Sequence, residues 1–373
     1  MTSVLKNKRV LVTGACGTVG SELIRQLLVS KQYSVQEVIG IDNNESELFF
    51  LDQAWLADPR ARFFVADIRD RQELCRRMDG VDIVFHVAAY KHVVLCERSP
   101  NEAVQTNIGG VQNVIAAATQ MGVERVIFTS SDKAVNPTNV MGTSKLMGER
   151  LMTAANSSKR GEGPIFASTR FGNVLGSNGS VVPIFHNQIL KGGPVTLTDK
   201  EMSRFIMSIE SAVKLVIDSA ELARGGEVFI TKMPVIAIKD LAKAMINQLT
   251  KKSHPKDKKI EIVEIGSKPG EKLYEELMSD EETRRSLELH DYFVVLPAFR
   301  GIYHDIEYSY PNHVSDCVTD PYVSKKQEFW SVDRIEGYLI ENGLLKAPSS
   351  IADQRYWPGD KEAGQTNGIN PKA

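Results

Sequence analysis

The sequence lacks any apolar run that could cross a membrane, since no window approaches the roughly 18 uninterrupted apolar residues of a spanning helix. The N-terminal residues MTSVLKNKRVLVTG include basic side chains, but a strand-like segment follows them in place of the apolar core of a signal peptide. We therefore expect a cytoplasmic protein with no membrane partner.

Cysteine is scarce, and the four cysteines are scattered at Cys16, Cys75, Cys96 and Cys317. They form no CxxC pair and have no histidine at the spacing of a zinc ligand, which argues against a metal site. Scattered cysteines of this kind are typical of reduced thiols in a cytoplasmic protein. We predict free thiols and no bound metal.

A surplus of positive charge is missing as well. The chain has 45 lysines and arginines against 47 acidic residues, for a formal net charge of −2. Nucleic-acid binding through counterion release needs a basic excess, so we predict no nucleic-acid partner. A ligand that carries phosphate would have to be held by local groups rather than by the field of the whole protein.

The length of 373 residues predicts one large domain or two unequal domains. Short apolar runs alternate with helical patterns in the first half, which is typical of a parallel sheet covered by helices on both faces. The expected fold class is α/β: a Rossmann-like doubly wound parallel sheet with a smaller C-terminal α/β substrate domain. The predicted strands are 9–13, 38–41, 62–65, 82–89 and 125–130, and the predicted helices include 21–30 and 111–121.

The sequence changes in character after about residue 170, where glycines and prolines become frequent. We predict a first domain over 1–170 and a second domain over 171–346, with some segments of the second returning to the first. A short strand and a helix are expected over 234–249. The polar tail 347–373 is expected to be poorly ordered or to pack only through Tyr356 and Trp357.

A glycine-rich loop, TGACGTVG, lies directly between a predicted strand and a predicted helix. A tight turn requires Gly14, close approach of a pyrophosphate requires Gly17, and close packing of the helix against the strand favours Gly20. The helix N-terminus would present N–H groups and a positive dipole end to the phosphates of a dinucleotide. The alternative is a glycine-rich turn that binds no ligand. The candidate cofactor-binding residues of this loop are Gly14, Cys16, Gly17, Thr18, Val19 and Gly20.

Two acidic residues follow the next two predicted strands. Asp42 ends the second strand, where its carboxylate can accept both hydroxyls of an adenine ribose and would repel a 2′-phosphate. This position favours NAD over NADP, the alternative being a strand-end aspartate that caps a turn. Asp67 follows the third strand, where a carboxylate can meet the adenine amino group. The adjacent Asn43 and Ile68 complete this set of candidate cofactor-binding residues.

A further motif, TSSDKAVNPTNVMGTSKLMGE over 129–149, follows the last predicted strand. Together with the glycine loop and the acidic residues, this motif resembles the extended short-chain dehydrogenases/reductases. The HVAA run at 86–89 and the Thr106-Asn107 pair belong to the same resemblance. It implies NAD as the cofactor, and it adds Ala88, Ala89 and Asn107 to the residues that bind it.

One expected residue of that family is missing. The family has a Tyr-x-x-x-Lys pair on one face of a helix, where the lysine bonds the nicotinamide ribose and lowers the tyrosine pKa. Here the lysine is Lys145, but the tyrosine position holds Met141, whose thioether cannot take a proton. Either the chain is a non-catalytic member, or the acid–base chemistry has moved to other residues.

Three segments resemble one branch of the family, the 4,6-dehydratases that act on UDP-N-acetylglucosamine (UDP-GlcNAc) with retention of configuration at C5. Ser131 stands where this branch has threonine and Val94 where it has proline, whereas methionine at position 141 is common in it. The resemblance extends over roughly residues 7–280. The three segments are SDKAVNPTNVMGTSK at 131–145, AAYKHVVLCE at 88–97 and PGEKLYEEL at 269–277.

The resemblance implies oxidation of the hexose at C4, elimination of water across C5 and C6, and return of the hydride from the cofactor to C6. It makes Asp132 the acid that helps the C6 hydroxyl leave and Lys133 the base at C5. Ser131 would hold the C4 hydroxyl, with water or another group as its base, and Lys145 would orient the ribose. A neutral Lys133 requires a depressed pKa, which we expect from burial near the nicotinamide. In the alternative interpretation, Asp132 and Lys133 belong to an ordinary surface turn. The candidate catalytic residues are Ser131, Asp132, Lys133, Met141 and Lys145.

The resemblance also implies a UDP-sugar substrate and residues that bind it. Lys91 and His92 follow the fourth strand, and Asn173 lies where the family contacts the nucleotide sugar. Arg204 is a candidate for the diphosphate because a guanidinium fork suits phosphate oxygens, and Glu271 is a candidate for the uridine. In the plainer interpretation, His92 is a packed loop residue and Arg204 forms a surface ion pair. The family often pairs through helices that flank the sheet, so we expect a homo-oligomer.

Two other classes of function stay open, one enzymatic and one regulatory. An epimerase or a C5-inverting dehydratase of a UDP-sugar would share the fold, but such enzymes usually keep tyrosine at position 141. A non-catalytic regulator that binds NAD would explain Met141, but the intact Asp132, Lys133 and Lys145 argue against it.

Overall fold

The computed structural model describes residues 3–158, 163–177, 179–253, 260–266, 270–299 and 306–346. The strands are β1 (Arg9–Thr13), β2 (Glu37–Asp42), β3 (Ala61–Val65), β4 (Ile83–His86), β5 (Arg125–Ser131), β6 (Ile165–Phe171), β7 (Asn173–Val174), β8 (Val195–Leu197), β9 (Ser203–Met207), β10 (Val228–Thr231), β11 (Val235–Ala237), β12 (Ile262–Glu264), β13 (Glu276–Met278), β14 (Ser286–Leu289), β15 (Tyr292–Val295), β16 (His313–Ser315) and β17 (Tyr322–Val323). The α-helices are α1 (Thr18–Val29), α2 (Glu45–Trp55), α3 (Arg71–Met78), α4 (Val93–Arg98), α5 (Pro100–Ala103), α6 (Gly110–Met121), α7 (Val140–Ser158), α8 (Val181–Leu190), α9 (Ile209–Leu222), α10 (Ile238–Ser253), α11 (Asp280–Thr283) and α12 (Val332–Glu341).

Ten strands form the main sheet, in the order β16-β14-β15-β10-β6-β5-β4-β1-β2-β3. Along this order, every neighbouring pair between β10 and β3 is parallel. Strands β15, β14 and β16 add an antiparallel edge beside β10. The chain winds outward in both directions from β1 and β4, so the strand order reverses between them. This topology confirms the predicted doubly wound α/β fold.

Consecutive residues of a strand point to opposite faces of the sheet, and here both faces are covered by helices. Val10 and Val12 of β1 pack in the core that includes α1 and α9. Leu11, between them, packs in the core that includes α6 and part of α7. Burial on both faces explains why the strands are continuous apolar runs in the sequence rather than alternating patterns.

One predicted strand is shorter in the structure. The prediction was 82–89, but β4 ends at His86. The backbone N–H groups of Val87 and Ala88 donate to Oγ1 of Thr13, each over 3.1 Å, instead of continuing the ladder. Residues 87–89 therefore leave the sheet at its carboxyl end, where they line a cavity. The apolar pattern could not reveal this exit, because the half-buried loop is as apolar as the strand.

The second half of the chain builds a smaller α/β layer and also returns to the main sheet. Helices α8, α10 and α12 share a separate core with β8, β9 and β11. Strands β10, β14, β15 and β16 join the main sheet. The strand and helix predicted over 234–249 correspond to β11 and α10. The division at residue 170 stays a prediction, and the predicted tail 347–373 lies outside the described residues.

No helix in the described parts of the chain is both long enough and apolar enough to span a membrane.

A buried ion cluster ties the two halves together. Arg170 at the end of β6 is 1% exposed and donates to both carboxylate oxygens of Glu149 on α7, over 2.9 and 2.7 Å. The same guanidinium donates to both oxygens of Glu282 on α11, over 2.8 and 2.7 Å, and to the carbonyl of Leu277 over 2.9 Å. Removing one member of a buried ion pair leaves an uncompensated charge, which makes such clusters sensitive to substitution.

We predict that Glu282→Gln lowers the free energy of unfolding by about 3 kcal/mol at neutral pH. Burial alone would raise the pKa of Glu282, but Arg170 outweighs it and lowers the pKa from 4.5 to about 2, a shift worth roughly 3 kcal/mol. Because the pKa is depressed in the folded state, this stability is complete above pH 4.5 and is lost as the pH falls toward 2. Urea-induced unfolding followed by circular dichroism at pH 7 and between pH 5 and 2 measures both effects.

The matched control is Glu281→Gln, since Glu281 is the exposed neighbour and pairs only with Arg285 among the described contacts. An exposed ion pair contributes about 0–1 kcal/mol, so this variant should keep the stability and acid sensitivity of the wild type. If Glu282→Gln lost stability on acidification as steeply as the wild type, the depressed pKa of Glu282 would be refuted.

Candidate active site

Two cavities meet at the carboxyl ends of the central strands β1, β4 and β5. The first has a volume of about 650 Å³ and the second about 550 Å³. In doubly wound sheets, ligands bind in the crevice where the strand order reverses, and the first cavity occupies that place. The residues that line both cavities are His92, Lys133, Asn173, Gly179 and Val181.

The glycine loop forms one wall of the first cavity. Gly14 has φ +70°, and a Cβ on it would lie 2.8 Å from the backbone of Ala88, so this turn requires glycine. A Cβ on Gly20 would lie 2.1 Å from the carbonyl oxygen of Gly14, so this glycine lets α1 pack against the loop. Gly17 is the N-cap residue of α1 and lines the cavity. Backbone and a helix N-terminus therefore face the space where a pyrophosphate would lie.

The other loop residues divide into two groups. Thr18 and Val19, at the start of α1, line the cavity together with Gly14 and Gly17. Cys16 is absent from the described cavity lining, and its backbone N–H donates to Oδ2 of Asp42 over 3.0 Å. Burial raises the pKa of the Cys16 thiol to about 12, so the thiol stays protonated.

The acidic candidates hold the adjacent turns as well as lining the cavity. Asp42 accepts from the N–H of Cys16 through Oδ2 and from the N–H of Asn44 through Oδ1, each over 3.0 Å. Both oxygens keep a second lone pair for a ribose hydroxyl. Asp67 forms an ion pair with Arg69 at 2.6 Å, which holds the pKa of Asp67 below its usual range. Asn43 and Ile68 line the same region.

Asn107 is placed behind the cavity rather than on it. Its Oδ1 accepts from the N–H of Tyr90 over 2.8 Å, and its Nδ2 donates to the carbonyl of Tyr90 over 3.0 Å and to Oγ of Ser144 over 2.9 Å. These bonds hold the loop containing Ala88 and Ala89 against α7, and both alanines line the cavity. Asn107 therefore positions the cofactor-side loop in this structure, whereas the sequence predicted direct contact.

Lys145 and Met141 both line the first cavity from α7. The Nζ of Lys145 donates to the carbonyl of Thr129 over 2.8 Å and lies 4.7 Å from the centre of the Phe128 ring. Burial lowers the pKa of Lys145 to about 8. Met141 is 3% exposed and contributes only an apolar surface. The glycine turn, the strand-end Asp42 and the buried Lys145 together fit a dinucleotide.

Ser131, Asp132 and Lys133 lie side by side at the end of β5, on the wall of the first cavity. The Ser131 hydroxyl donates to Oδ1 of Asp132 over 2.6 Å, and Nζ of Lys133 lies 3.0 Å from the same oxygen. Asp132 is 1% exposed, so the alternative of an ordinary surface turn is wrong for it. The three groups can exchange protons through one carboxylate oxygen.

The structure adds a residue that the sequence analysis missed. Glu275 is 2% exposed, and its Oε1 lies 3.5 Å from Nζ of Lys133 and 3.5 Å from Nε of Arg204. The PGEKLYEEL motif predicts a role for this loop through Glu271, but Glu271 lies at the exposed rim of the second cavity. A loop without regular periodicity does not reveal which of its glutamates points inward.

The expected depression of the Lys133 pKa is absent from this structure. Burial would lower that pKa, but the nearby carboxylates of Asp132 and Glu275 outweigh burial and raise it. The ammonium side chain is 28% exposed. Lys133 is therefore a cation in the free protein, and a role as base needs a way to remove its proton.

The candidate substrate residues are spread over the two cavities. Lys91 lines the first, His92 and Asn173 line both, and Arg204 and Glu271 line the second. Burial lowers the pKa of both Lys91 and His92. Arg204 is 6% exposed, and its guanidinium donates to the backbone carbonyls of residues 203 and 272, over 2.8 and 2.9 Å. The alternative of a surface ion pair is therefore wrong for Arg204.

The sequence matches the family described as "Polysaccharide biosynthesis protein" over residues 10–297. An uncharacterized membrane protein of Methanocaldococcus jannaschii is 49% identical, and the match covers 80% of this chain and 88% of that protein. An inverting UDP-N-acetylglucosamine 4,6-dehydratase of Campylobacter jejuni is 37% identical, and the match covers 82% of this chain and 88% of the dehydratase. A UDP-glucose 4-epimerase of Rickettsia conorii is also 37% identical, over 77% of this chain and 82% of the epimerase.

Two solved structures extend the comparison. Pen from Bacillus thuringiensis superposes with a TM-score of 0.84 at 40% identity, covering 92% of this chain and all of that one. The dTDP-glucose 4,6-dehydratase DesIV from Streptomyces venezuelae, solved with bound NAD, gives a TM-score of 0.61 at 25% identity, covering 71% and 86%. Since the family match spans most of the chain, the protein belongs to the polysaccharide biosynthesis protein family, within the extended short-chain dehydrogenases/reductases.

Proposed function

We propose that the protein is an NAD-dependent 4,6-dehydratase that converts UDP-GlcNAc into a UDP-4-keto-6-deoxy-N-acetylhexosamine with retained configuration at C5. One observation above all supports this: Ser131, Asp132 and Lys133 converge where the two cavities meet, beside Lys145 and with Met141 in the place of a tyrosine. The similarity to dehydratases of nucleotide sugars supports the reaction class.

The cofactor is NAD, and the chemistry that it supplies when bound is removal of hydride from C4 and its return to C6. The loop from Gly14 to Val19 would hold the pyrophosphate, and Asp42 would accept the hydroxyls of the adenine ribose. Lys145 would donate to the nicotinamide ribose. These assignments place the nicotinamide end of the cavity beside the three catalytic candidates.

Because Met141 cannot accept a proton, we assign removal of the C4 hydroxyl proton to Ser131 and Asp132 acting together. The Ser131 hydroxyl can accept that proton while passing its own to Oδ1 of Asp132, to which it already donates over 2.6 Å. Asp132 then carries the proton that the C6 hydroxyl needs in order to leave as water. One proton is thus taken up at C4 and one is delivered at C6 through Ser131 and Asp132, and no tyrosine is required.

Lys133 is assigned as the base at C5. As a neutral amine it would take the C5 proton while the C5–H electron pair forms the double bond to C6. The same amine group would return the proton to C5 after reduction at C6. A single group that removes and returns a proton on one face retains the configuration. Inversion needs a proton donor on the opposite face, and the thioether of Met141 cannot donate a proton.

UDP-sugar 4-epimerisation is the second candidate, because an epimerase is as similar in sequence as the dehydratase relative. The residue at position 141 weighs against it, since Met141 cannot exchange the C4 proton as tyrosine does. The substrate residues Lys91, His92, Asn173, Arg204 and Glu271 stay proposals. A homo-oligomer and a cytoplasmic location stay predictions from the sequence.

We predict that the purified protein removes one water from UDP-GlcNAc and returns its NAD to the oxidised form. Mass spectrometry detects the loss of water, and proton NMR of the product in D2O determines the configuration at C5. UDP-N-acetylgalactosamine and dTDP-glucose, tested in parallel, should be poorer substrates. A product of unchanged mass with inverted C4 would instead identify an epimerase, and inverted C5 would identify an inverting dehydratase.

We predict that Lys133→Ala reduces dehydration by about 10²–10⁴-fold, the range for loss of a general acid or base. Oxidation at C4 does not use Lys133, so reduced nicotinamide should accumulate on addition of UDP-GlcNAc, as measured by its near-ultraviolet absorbance. The control is Lys214→Ala, because Lys214 is an exposed lysine on α9 that pairs with Asp218. Dehydration by Lys133→Ala at the rate of this control would refute the assignment of the C5 base.

A further inference from the structure

A buried carboxylate that the mechanism above does not use lies against Lys133. Glu275 belongs to the loop before β13 and is 2% exposed. Its backbone N–H donates to Oγ of Ser324 over 2.9 Å, and its carbonyl accepts from the N–H of Ser324 over 2.9 Å. These bonds fix the backbone on both sides, so the fold determines where the carboxylate lies.

The carboxylate of Glu275 shares the ammonium of Lys133 with Asp132. Oε1 of Glu275 lies 3.5 Å from Nζ, and Oδ1 of Asp132 lies 3.0 Å from it. The other oxygen of each carboxylate is buried and has no hydrogen-bond partner within the described residues. Two acids from different halves of the chain therefore hold one ammonium, and each keeps an unused acceptor.

The charged groups that face Glu275 come from three elements. Asp132 and Lys133 lie in the turn after β5, Arg204 on β9, and Lys272 in the loop of Glu275 itself. Burial and the charge of Asp132 raise the pKa of Glu275, against the opposing effect of the three cations. A carboxylate in this position accepts a proton more readily than an exposed glutamate.

The proposed reaction requires such an acceptor. A base at C5 must be a neutral amine, yet the two carboxylates keep Lys133 protonated in the free protein. The sugar nucleotide would fill both cavities and separate Lys133 from solvent. The proton of Lys133 then has to move to a group inside the site. Glu275 is the remaining neighbour that can accept the proton of Lys133, because Asp132 is already assigned the proton from C4.

We propose that Glu275 takes the proton of Lys133 when the sugar nucleotide fills the two cavities, and so converts Lys133 into the base at C5. One N–H bond of the ammonium breaks and one O–H bond forms on Glu275, and the ion pair becomes a neutral amine and a neutral acid. Exclusion of water penalises both ions and favours this exchange. Glu275 acts on the sugar only through Lys133, and the proposal rests on the dehydratase function above.

The first test is the pH dependence of kcat for Glu275→Gln with NAD and UDP-GlcNAc. In the wild type the proton moves within the pair, so kcat should not change between neutral and mildly alkaline pH. In Glu275→Gln, Lys133 must lose its proton to solvent. We expect a loss of about 10²-fold or more at pH 7 and a rise of about tenfold per pH unit above it, with little change in KM. A merely structural role of Glu275 would lower kcat without creating this slope.

Two variants serve as comparisons. Glu275→Asp keeps a carboxyl group on a shorter arm, so its kcat should fall while staying independent of pH. Glu281→Gln removes one negative charge from the exposed start of α11 and should match the wild type. If Glu275→Gln were as active at pH 7 as the wild type, or more active, Glu275 would only stabilise the ammonium of Lys133, and the proposal would be wrong.

A second measurement does not depend on whether a variant folds. With NADH and UDP-GlcNAc the wild type forms a complex in which C4 cannot be oxidised, so Asp132 receives no proton from the substrate. Difference infrared spectroscopy against the complex without sugar nucleotide should then show the C=O band of one protonated carboxyl group. The band should vanish in Glu275→Gln where that variant folds. Its absence in the wild type overturns the proposal.

The two proposals fail in distinguishable ways. If the wild type removes no water from any of the UDP-sugars, the proposed function is wrong and the role of Glu275 falls with it. If the wild type dehydrates UDP-GlcNAc but lacks the infrared band, or if Glu275→Gln keeps a level pH profile, only the role of Glu275 is wrong.

Discussion

The candidate active site depends on the ammonium of Lys133, which is held between two buried carboxylates. Asp132 comes from the end of a central strand in the first half of the chain, and Glu275 comes from a loop in the second half. Neither half alone has both acids, so this arrangement exists only when the two are packed together. The attraction that fixes Lys133 also raises its pKa, so the geometry that positions the proposed base keeps it protonated in the free protein.

The same junction is stabilised by a second buried cation. Arg170 binds Glu149 on α7 and Glu282 on α11, and so fixes the helix that carries Lys145 relative to the region that carries Glu275. Fully paired guanidinium and carboxylate groups satisfy one another where they are buried away from solvent. One cluster thus supports the packing of the two halves, while the other lies where the cavities meet.

The two sides of the site use different parts of the chain. On the cofactor side, glycines and a helix N-terminus present backbone groups, and side chains such as Asn107 and Asp42 hold the adjacent loops in place. In the second cavity, charged side chains at the end of β5, on β9 and in the 270–275 loop line the surface. Lys133 lines both cavities, so the proposed chemistry lies at the boundary between them.

The sequence by itself determined the doubly wound sheet, the glycine loop, the strand-end Asp42 and the spacing of Met141 and Lys145. These features depend on local patterns: apolar runs for buried strands, glycines where a Cβ would collide, and helical spacing for a shared face. Only the tertiary structure decided that β4 ends at His86, that the amide of Asn107 hydrogen-bonds the loop backbone at Tyr90, and that Glu275 rather than Glu271 contacts Lys133. Those outcomes depend on distances between segments far apart in the chain. The sign of the Lys133 pKa shift is of the same kind, because it is set by two carboxylates that only folding brings to one ammonium.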